Sequence, residues 1–212
     1  MSTAMPPISP LLQDAADGRA LLMPWTIEQY HWAIETGFIP EDTAYELLDG
    51  WIVRKERNAT GEDPMTIGDR HRTAVLELAD MAERFKPHGC FLQAQQPITL
   101  PPHHEPEPDT SIVRGTFRDY RDGPPGPADV LCVVEVADAS LRRDRTVKLN
   151  AYASAKIALY VIVNLVDNQV ELYTPAPDGG YGTPRVLKTD ETLELPTATN
   201  ATVPIPVQRL LP

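Results

Sequence analysis

A lone carboxylate inside an apolar run is the feature of this chain most charged with chemical meaning. Glu135 stands in Val130–Ala137 (VLCVVEVA), which is otherwise apolar. Burying an unpaired carboxylate costs several kcal/mol, or enough to neutralise it, so Glu135 needs a metal ion, a cationic side chain or water at a strand end. Asp109 opens a short strand after Pro108, and Lys148 lies on the helix that follows Glu135. Neighbouring strands run about 4.8 Å apart, so if these two strands pair, Asp109 and Glu135 come to one edge of a sheet. Two carboxylates converging there repel, and one stays protonated unless a cation is shared. Hard oxygen ligands of this kind suit Mg²⁺ or Mn²⁺ with several waters retained. A lysine beside such a site can orient or deprotonate an attacking water and offset phosphate charge.

A purely structural assignment is also open to the same residues. Asp109 can cap a strand, Glu135 can pair with Arg142 or Arg143, and Asp144 with Lys148 can form an ordinary i,i+4 helix pair. His71, after Asp69 and Arg70 at a helix start, is a surface histidine or an accessory to proton transfer. His103 and His104 with Glu105 and Glu107 lack the paired spacing of a zinc site. Arg142, Arg143 and Arg145 form a basic patch beside Glu135, either a solvated helix face or a set of phosphate contacts. Trp25, Trp32 and Trp51 are expected in core or hairpin packing.

The elements that must carry these residues are legible in pattern. Thr26 precedes IEQYHWAIETGF, a short helix capped by Thr26 and stopped at Gly37. Tyr45–Glu56 is a hairpin around Asp49-Gly50. A polar loop over Asn58–Met65 leads to an amphipathic helix over Ile67–Phe85, with Val75, Leu78, Ala79, Ala82 and Phe85 on one face. Cys90–Leu100 and Asp109–Val113 read as strands. The Gly- and Pro-bearing Gly115–Ala128 reads as a surface crossover or lid. Val130–Ala137 has the pattern of a strand covered on both faces. Leu141–Ala155 is helical, and Ile157–Leu165 with Val170–Thr174 form a hairpin around Asp167-Asn168. The expected architecture is α/β, a mixed sheet with helices packed on it, preceded by a flexible arm over 1–22 and followed by an extended, proline-rich C-terminal segment.

Bulk composition narrows the function. The chain has 212 residues, enough for one domain with a sizeable core. It carries 22 prolines, roughly double the usual ~5%, so its loops are stiff. A net charge of −11 argues against a nonspecific polyanion binder, since phosphate contacts draw on surplus Lys and Arg. Two cysteines are too few for a disulfide framework. No signal-peptide pattern opens the sequence and no apolar run approaches ~18 residues, so a cytoplasmic protein without membrane contact is expected.

Several motifs occur together in one order: YELLDGWIV at Tyr45–Val53, His71 at a helix start, EPEPDTSIV at Glu105–Val113, and the run Val133–Val163. From about Tyr45 to Tyr173 the chain thereby resembles the Uma-two family, a branch of the PD-(D/E)XK nuclease-like superfamily. The resemblance implies a restriction-endonuclease-like core and a metal-dependent endonuclease acting on DNA. Asp109 matches the Asp of the Pro-Asp motif and Glu135 the acidic residue of the second motif. The superfamily's usual lysine two residues after that Glu is replaced by Ala137, and in this family it comes from the next helix, which maps to Lys148. Glu46 matches the Glu of the Tyr-Glu-Leu-hydrophobic-Asp-Gly motif and is expected to complete the metal shell with Asp109 and Glu135. Asp138 stands where the family commonly has a small residue, and Leu159-Tyr160-Val161 where it has Glu-Tyr-Trp. A homodimer is the assembly the resemblance implies. A noncatalytic nucleic-acid- or protein-binding module that retains the fold is the alternative, weakly favoured by the acidic net charge.

Overall fold

Val130–Ala137 (β5) is the central strand of the molecule and was expected at those bounds. In the computed structural model, which describes residues 14–15, 17–18, 21–40, 44–55, 68–177, 179–199 and 201–212, β5 pairs with strands on both sides. The polar loop expected at 58–65 and most of the arm expected over 1–22 lie outside those residues. The elements before β5 are α1 (Ile27–Glu35), β1 (Tyr45–Leu48), β2 (Trp51–Arg54), α2 (Asp69–Asp80), β3 (Cys90–Ala94) and β4 (Thr110–Arg114). After it come α3 (the helical segment 141–154), β6 (Tyr160–Asn164), β7 (Gln169–Tyr173), β8 (Arg185–Leu187), β9 (Thr192–Pro196), β10 (Thr202–Pro206) and α4 (Val207–Leu210).

Six strands form one sheet in the order β3-β4-β5-β6-β7-β8. Only the β5–β6 pair is parallel, because only there does a helix, α3, carry the chain across. The period-2 alternation of β5 sorts its side chains between two cores. Val134 and Val136 pack with Ala74, Leu78 and Phe85 on one face. Val133 and Ala137 pack with Tyr152, Ile157 and Tyr160 on the other. Burial of a Val or Leu contributes roughly 1.5–3 kcal/mol, so the apolar residues of β5 readily offset the cost of placing Glu135 among them.

The hairpin β1–β2 turns at Asp49 and Gly50, both with positive φ (52° and 72°), as an Asp-Gly turn requires. Gly50 is needed for a second reason. A Cβ there would lie 2.2 Å from the Pro24 Cβ. The hairpin is tied to the segment before β4 by reciprocal backbone bonds between Leu47 and Glu105 (3.2 and 2.8 Å). Helix α1 starts with the reciprocal Thr26/Gln29 capping box and packs Ile27, Tyr30 and Ala33 against Leu47.

Four expectations needed correction. The strand expected over Cys90–Leu100 ends at Ala94, because Gln95 takes positive φ (50°) and Pro97 follows. On α2 the fully buried residues are Ala74 and Leu78, with Val75 and Ala79 at the margin. The proline-rich C-terminal segment is also not merely extended: β8 pairs with β7, and β9–β10 form an antiparallel hairpin. That hairpin buries Leu193, Leu195, Val203 and Ile205, while Pro204 and Pro206 sit at exposed positions. Trp32 is 57% exposed rather than packed in a core, whereas Trp51 lies on the hairpin strand β2 and Trp25 stacks on Phe38.

Candidate active site

The antiparallel register of β4 and β5 sets Thr110 opposite Val134. The residue preceding β4 therefore meets the end of β5. Asp109 and Glu135 do come together there: the Asp109 N–H lies 3.4 Å from Glu135 Oε2, and the Val136 N–H donates to Asp109 Oδ2 at 2.8 Å. Glu135 falls between Val133 and Ala137 on the face covered by α3, so its carboxylate points at that helix.

Helix α3 answers with two side chains. Lys148 Nζ donates to Glu135 Oε1 at 2.8 Å, and Tyr152 Oη donates to the same oxygen at 2.8 Å. Lys148 also reaches Glu46 Oε2 at 3.3 Å. The lysine thus bridges a carboxylate on β5 and one on β1, and it is buried (4% exposed). It lies in a π-helical turn, Asp144–Lys148, between α-helical pieces. Such turns alter the angular placement of the side chains that follow and are frequent at functional sites. Asp144 accepts from Ser140 Oγ at 2.6 Å, while Lys148 turns to Glu135 and Glu46 in place of an i,i+4 pair with Asp144. Neither Arg142 nor Arg143 pairs with Glu135.

His71, in the first turn of α2, reaches the same edge from the opposite face. Its Nε2 lies 3.2 Å from Asp109 Oδ2, and its Nδ1 is buried without a hydrogen-bond partner. Glu46 is held from a second side by the Glu107 N–H at 3.3 Å.

The electrostatics separate the two central acids. Burial, reinforced by the charges of Asp144 and Asp109, outweighs the pull of Lys148 and drives Glu135 from 4.5 up to about 7. Burial also acts on Asp109, but the His71 hydrogen bond and charge, the Val136 N–H and Lys148 together hold it below its ordinary value. Burial disfavours the charged form of His71, yet Asp109, Glu135 and Asp138 lift it above its ordinary value. Lys148 behaves likewise: Glu135, Glu46 and Asp144 overcome its burial and hold the proton on the amine. Burial and the charge of Glu135 push the Tyr152 hydroxyl well up, so it remains a donor.

Among the described residues no three His, Cys, Asp or Glu side chains are grouped as a ligand set for a metal ion. Magnesium is commonly held by one or two carboxylates with water and phosphate oxygens at its other positions. Asp109 and Glu135, adjacent and differing in ionisation, fit an ion of that kind by their donor chemistry. Of the expected phosphate contacts, Arg142 is exposed and Arg143 half-buried. Arg145 is committed elsewhere: it pairs with Glu171 and with Asp167 (3.2 Å). His103 ties its loop to the Trp25 carbonyl just before α1, and His104 accepts the Asp49 N–H of the hairpin turn. Tyr152 went unnoticed in the sequence. Its position one helical turn after Lys148 was the available signal.

A mixed sheet whose antiparallel β4–β5 junction holds an acidic pair, faced by a lysine from the crossover helix, is a restriction-endonuclease-like α/β core. The same fold occurs in a protein of Anabaena variabilis described as "a putative nuclease belonging to DUF820", with a TM-score of 0.61, 15% identity, and coverage of 88% of this chain and 97% of that one. The model of the Uma2 family, described as "Putative restriction endonuclease", matches residues 27–208, and the chain belongs to that family. The match takes in α1 and the strands β8–β10, beyond the segment whose motifs carried the resemblance. No curated protein matches the chain. No helix among the described residues is long and apolar enough to cross a membrane.

Proposed function

We propose that this protein is a metal-dependent endonuclease that hydrolyses DNA phosphodiester bonds, with Asp109 and Glu135 holding Mg²⁺ or Mn²⁺. The observation that carries this reading is the buried meeting of Asp109, Glu135 and Lys148 at one end of β4 and β5. A bound divalent ion supplies Lewis-acid polarisation of the phosphate and a more acidic bound water. His71 and the Val136 N–H fix Asp109 in its ionised form. Tyr152 and Lys148 fix Glu135 Oε1. Lys148 has three N–H donors. Glu135 and Glu46 take two, and the third serves an attacking water or a phosphate oxygen. Glu46, expected as a third metal ligand, acts here as the second anchor of that lysine. Arg142 and Arg143 are the remaining candidates for phosphate contact from α3. Cutting both strands of a duplex calls for two such sites, hence a homodimer.

The noncatalytic reading draws support from one feature. Lys148 is buried between two carboxylates, which satisfies the charges within the chain and leaves the amine little exposed to a substrate. Supercoiled plasmid incubated with Mg²⁺ or Mn²⁺ separates the two. The endonuclease converts it to nicked and linear forms, and Asp109→Ala and Glu135→Ala abolish the conversion. Equal trace nicking by all three proteins removes the catalytic reading.

A further inference from the structure

Strand β3 is an edge of the six-stranded sheet, and a cavity of about 600 Å³ lies along it. Its floor is Phe91, Leu92, Gln93 and Ala94, and its far wall is the segment that carries Phe117, Tyr120 and Arg121. That segment is firmly built. Thr116 and Asp119 form a reciprocal capping box at the start of the 3₁₀ turn Phe117–Tyr120. Tyr120 Oη donates to the Arg114 carbonyl at 3.0 Å, and its ring meets Phe91 at 6.0 Å. Gly115, with φ 74°, lets the Asp119 carboxylate close against the backbone where a Cβ would sit 2.6 Å away.

On this scaffold Phe117 is 68% exposed, and the Arg118 guanidinium lies over its ring at 5.2 Å. Arg114 and Arg121 are exposed beside it, and Lys86 borders the cavity, paired with Glu83. Of the acids in the segment, Asp119 is turned onto Thr116 and Asp122 is exposed. The Ala94 end of the cavity lies beside β4, at the backbone that carries Asp109. Ala94 is paired with Thr110, and the Gln95 N–H donates to the Asp109 carbonyl at 3.2 Å. The strand from Phe91 to Ala94 covers about 10 Å at ~3.3 Å per residue, the length of about three stacked bases at 3.4 Å each.

We propose that this groove holds a single nucleic-acid strand leading into the Asp109–Glu135 site, with Phe117 as the base-stacking platform and Arg118 and Arg121 as phosphate contacts. An exposed aromatic ring beside guanidinium groups, above an apolar floor, is the combination that binds unpaired bases without reading their sequence. It places positive charge toward a polyanion in a chain whose net charge is −11, and its Ala94 end abuts the backbone at Asp109. The choice of ligand class rests on the endonuclease reading. The role of the groove does not depend on turnover.

Fluorescence anisotropy of a labelled, mixed-sequence single-stranded oligonucleotide in EDTA tests it without catalysis. The wild type binds, Phe117→Ala weakens binding about ten-fold, and Phe117→Trp retains it. Arg118→Glu with Arg121→Glu weakens binding at least as much and flattens its salt dependence. The exposed position of Phe117 predicts an unchanged melting temperature for its variants. Absence of wild-type binding, or wild-type affinity in Phe117→Ala and the double variant, overturns the proposal. A change of oligomeric state in sedimentation with unaltered oligonucleotide affinity also overturns it, and makes the edge a self-association surface. Binding lost in the loop variants while wild type fails to nick plasmid removes the catalytic reading alone. Nicking and binding that both persist in those variants remove the groove alone.

Discussion

Glu135 and Glu171 are two glutamates buried in the same sheet, 3% and 1% exposed, and their surroundings drive them in opposite directions. Glu171, on β7, accepts from Arg145, Asn164, Gln169 and the Tyr173 hydroxyl. These donors overcome its burial and hold it down at about 2. Glu135 accepts from Lys148 and Tyr152 on one oxygen, while its other oxygen has the 3.4 Å contact from Asp109 N–H. Burial, with the charges of Asp144 and Asp109 beside it, raises it to about 7. A carboxylate surrounded by donors is a structural tie. One hemmed in by like charge is held in place by its fold and stabilised by a cation it can share. Desolvation weighs more on Glu135 and fewer donors oppose it, so the difference is one of burial and of satisfaction together.

Four substitutions separate the roles of the two glutamates. The largest effect is expected at Lys148, whose removal leaves Glu135 and Glu46 buried without a cation. Lys148→Met should cost about 3–5 kcal/mol in urea unfolding at pH 7, along with plasmid nicking. A cost below 1 kcal/mol would show that the lysine is not the cation both glutamates depend on.

Glu171→Gln is expected to follow. Its carboxylate, lowered from 4.5 to about 2 in the folded chain, contributes stability that is full above pH 4.5 and lost as pH falls through about 2. With allowance for the half-exposed Arg145 partner, the variant should lose about 2 kcal/mol at pH 7. Its deficit should narrow as pH drops below 4.5.

Glu135→Gln should behave in the opposite sense. A folded-state value raised from 4.5 to about 7 means the fold favours the protonated acid. That contribution is full below pH 4.5 and lost as pH rises through about 7. Relative to wild type, the variant should therefore be more stable at pH 8 than at pH 5 in metal-free buffer, while plasmid nicking is lost. A pH-independent difference would equate Glu135 with an ordinary paired carboxylate. The smallest effect belongs to Tyr152→Phe, about 1.5 kcal/mol for one buried hydrogen bond to a charged acceptor, read by the same unfolding curves.

Much of the fold was written in local pattern. The apolar run of β5, the Asp49-Gly50 turn and the Thr26 cap each depend on residues adjacent in sequence. The strands β9 and β10 were missed although their alternation was present, with Leu193 and Leu195 facing Val203 and Ile205. Prolines at the outward positions masked it, and a two-stranded hairpin tolerates them wherever the N–H they lack would face away from the partner strand. For the site, the meeting of Asp109 and Glu135 followed from strand order. The bridge from Lys148 to Glu46 did not, because it depends on a π-helical turn and on how the hairpin docks through Leu47 and Glu105. The role of Arg145 was hidden for a similar reason. Its partners Asp167 and Glu171 lie on and beyond the β6–β7 turn, and nothing in the run around Arg142 announces them.

The contrast between the two glutamates is tested most directly by the melting temperature with and without millimolar Mn²⁺ in wild type, Glu135→Gln and Glu171→Gln. An ion bound by the native state raises the midpoint. The expected result is a rise in wild type, a rise of equal size in Glu171→Gln from its lower starting point, and none in Glu135→Gln. No rise in wild type, or the same rise in Glu135→Gln, would contradict the assignment of Glu135 to a divalent-cation site.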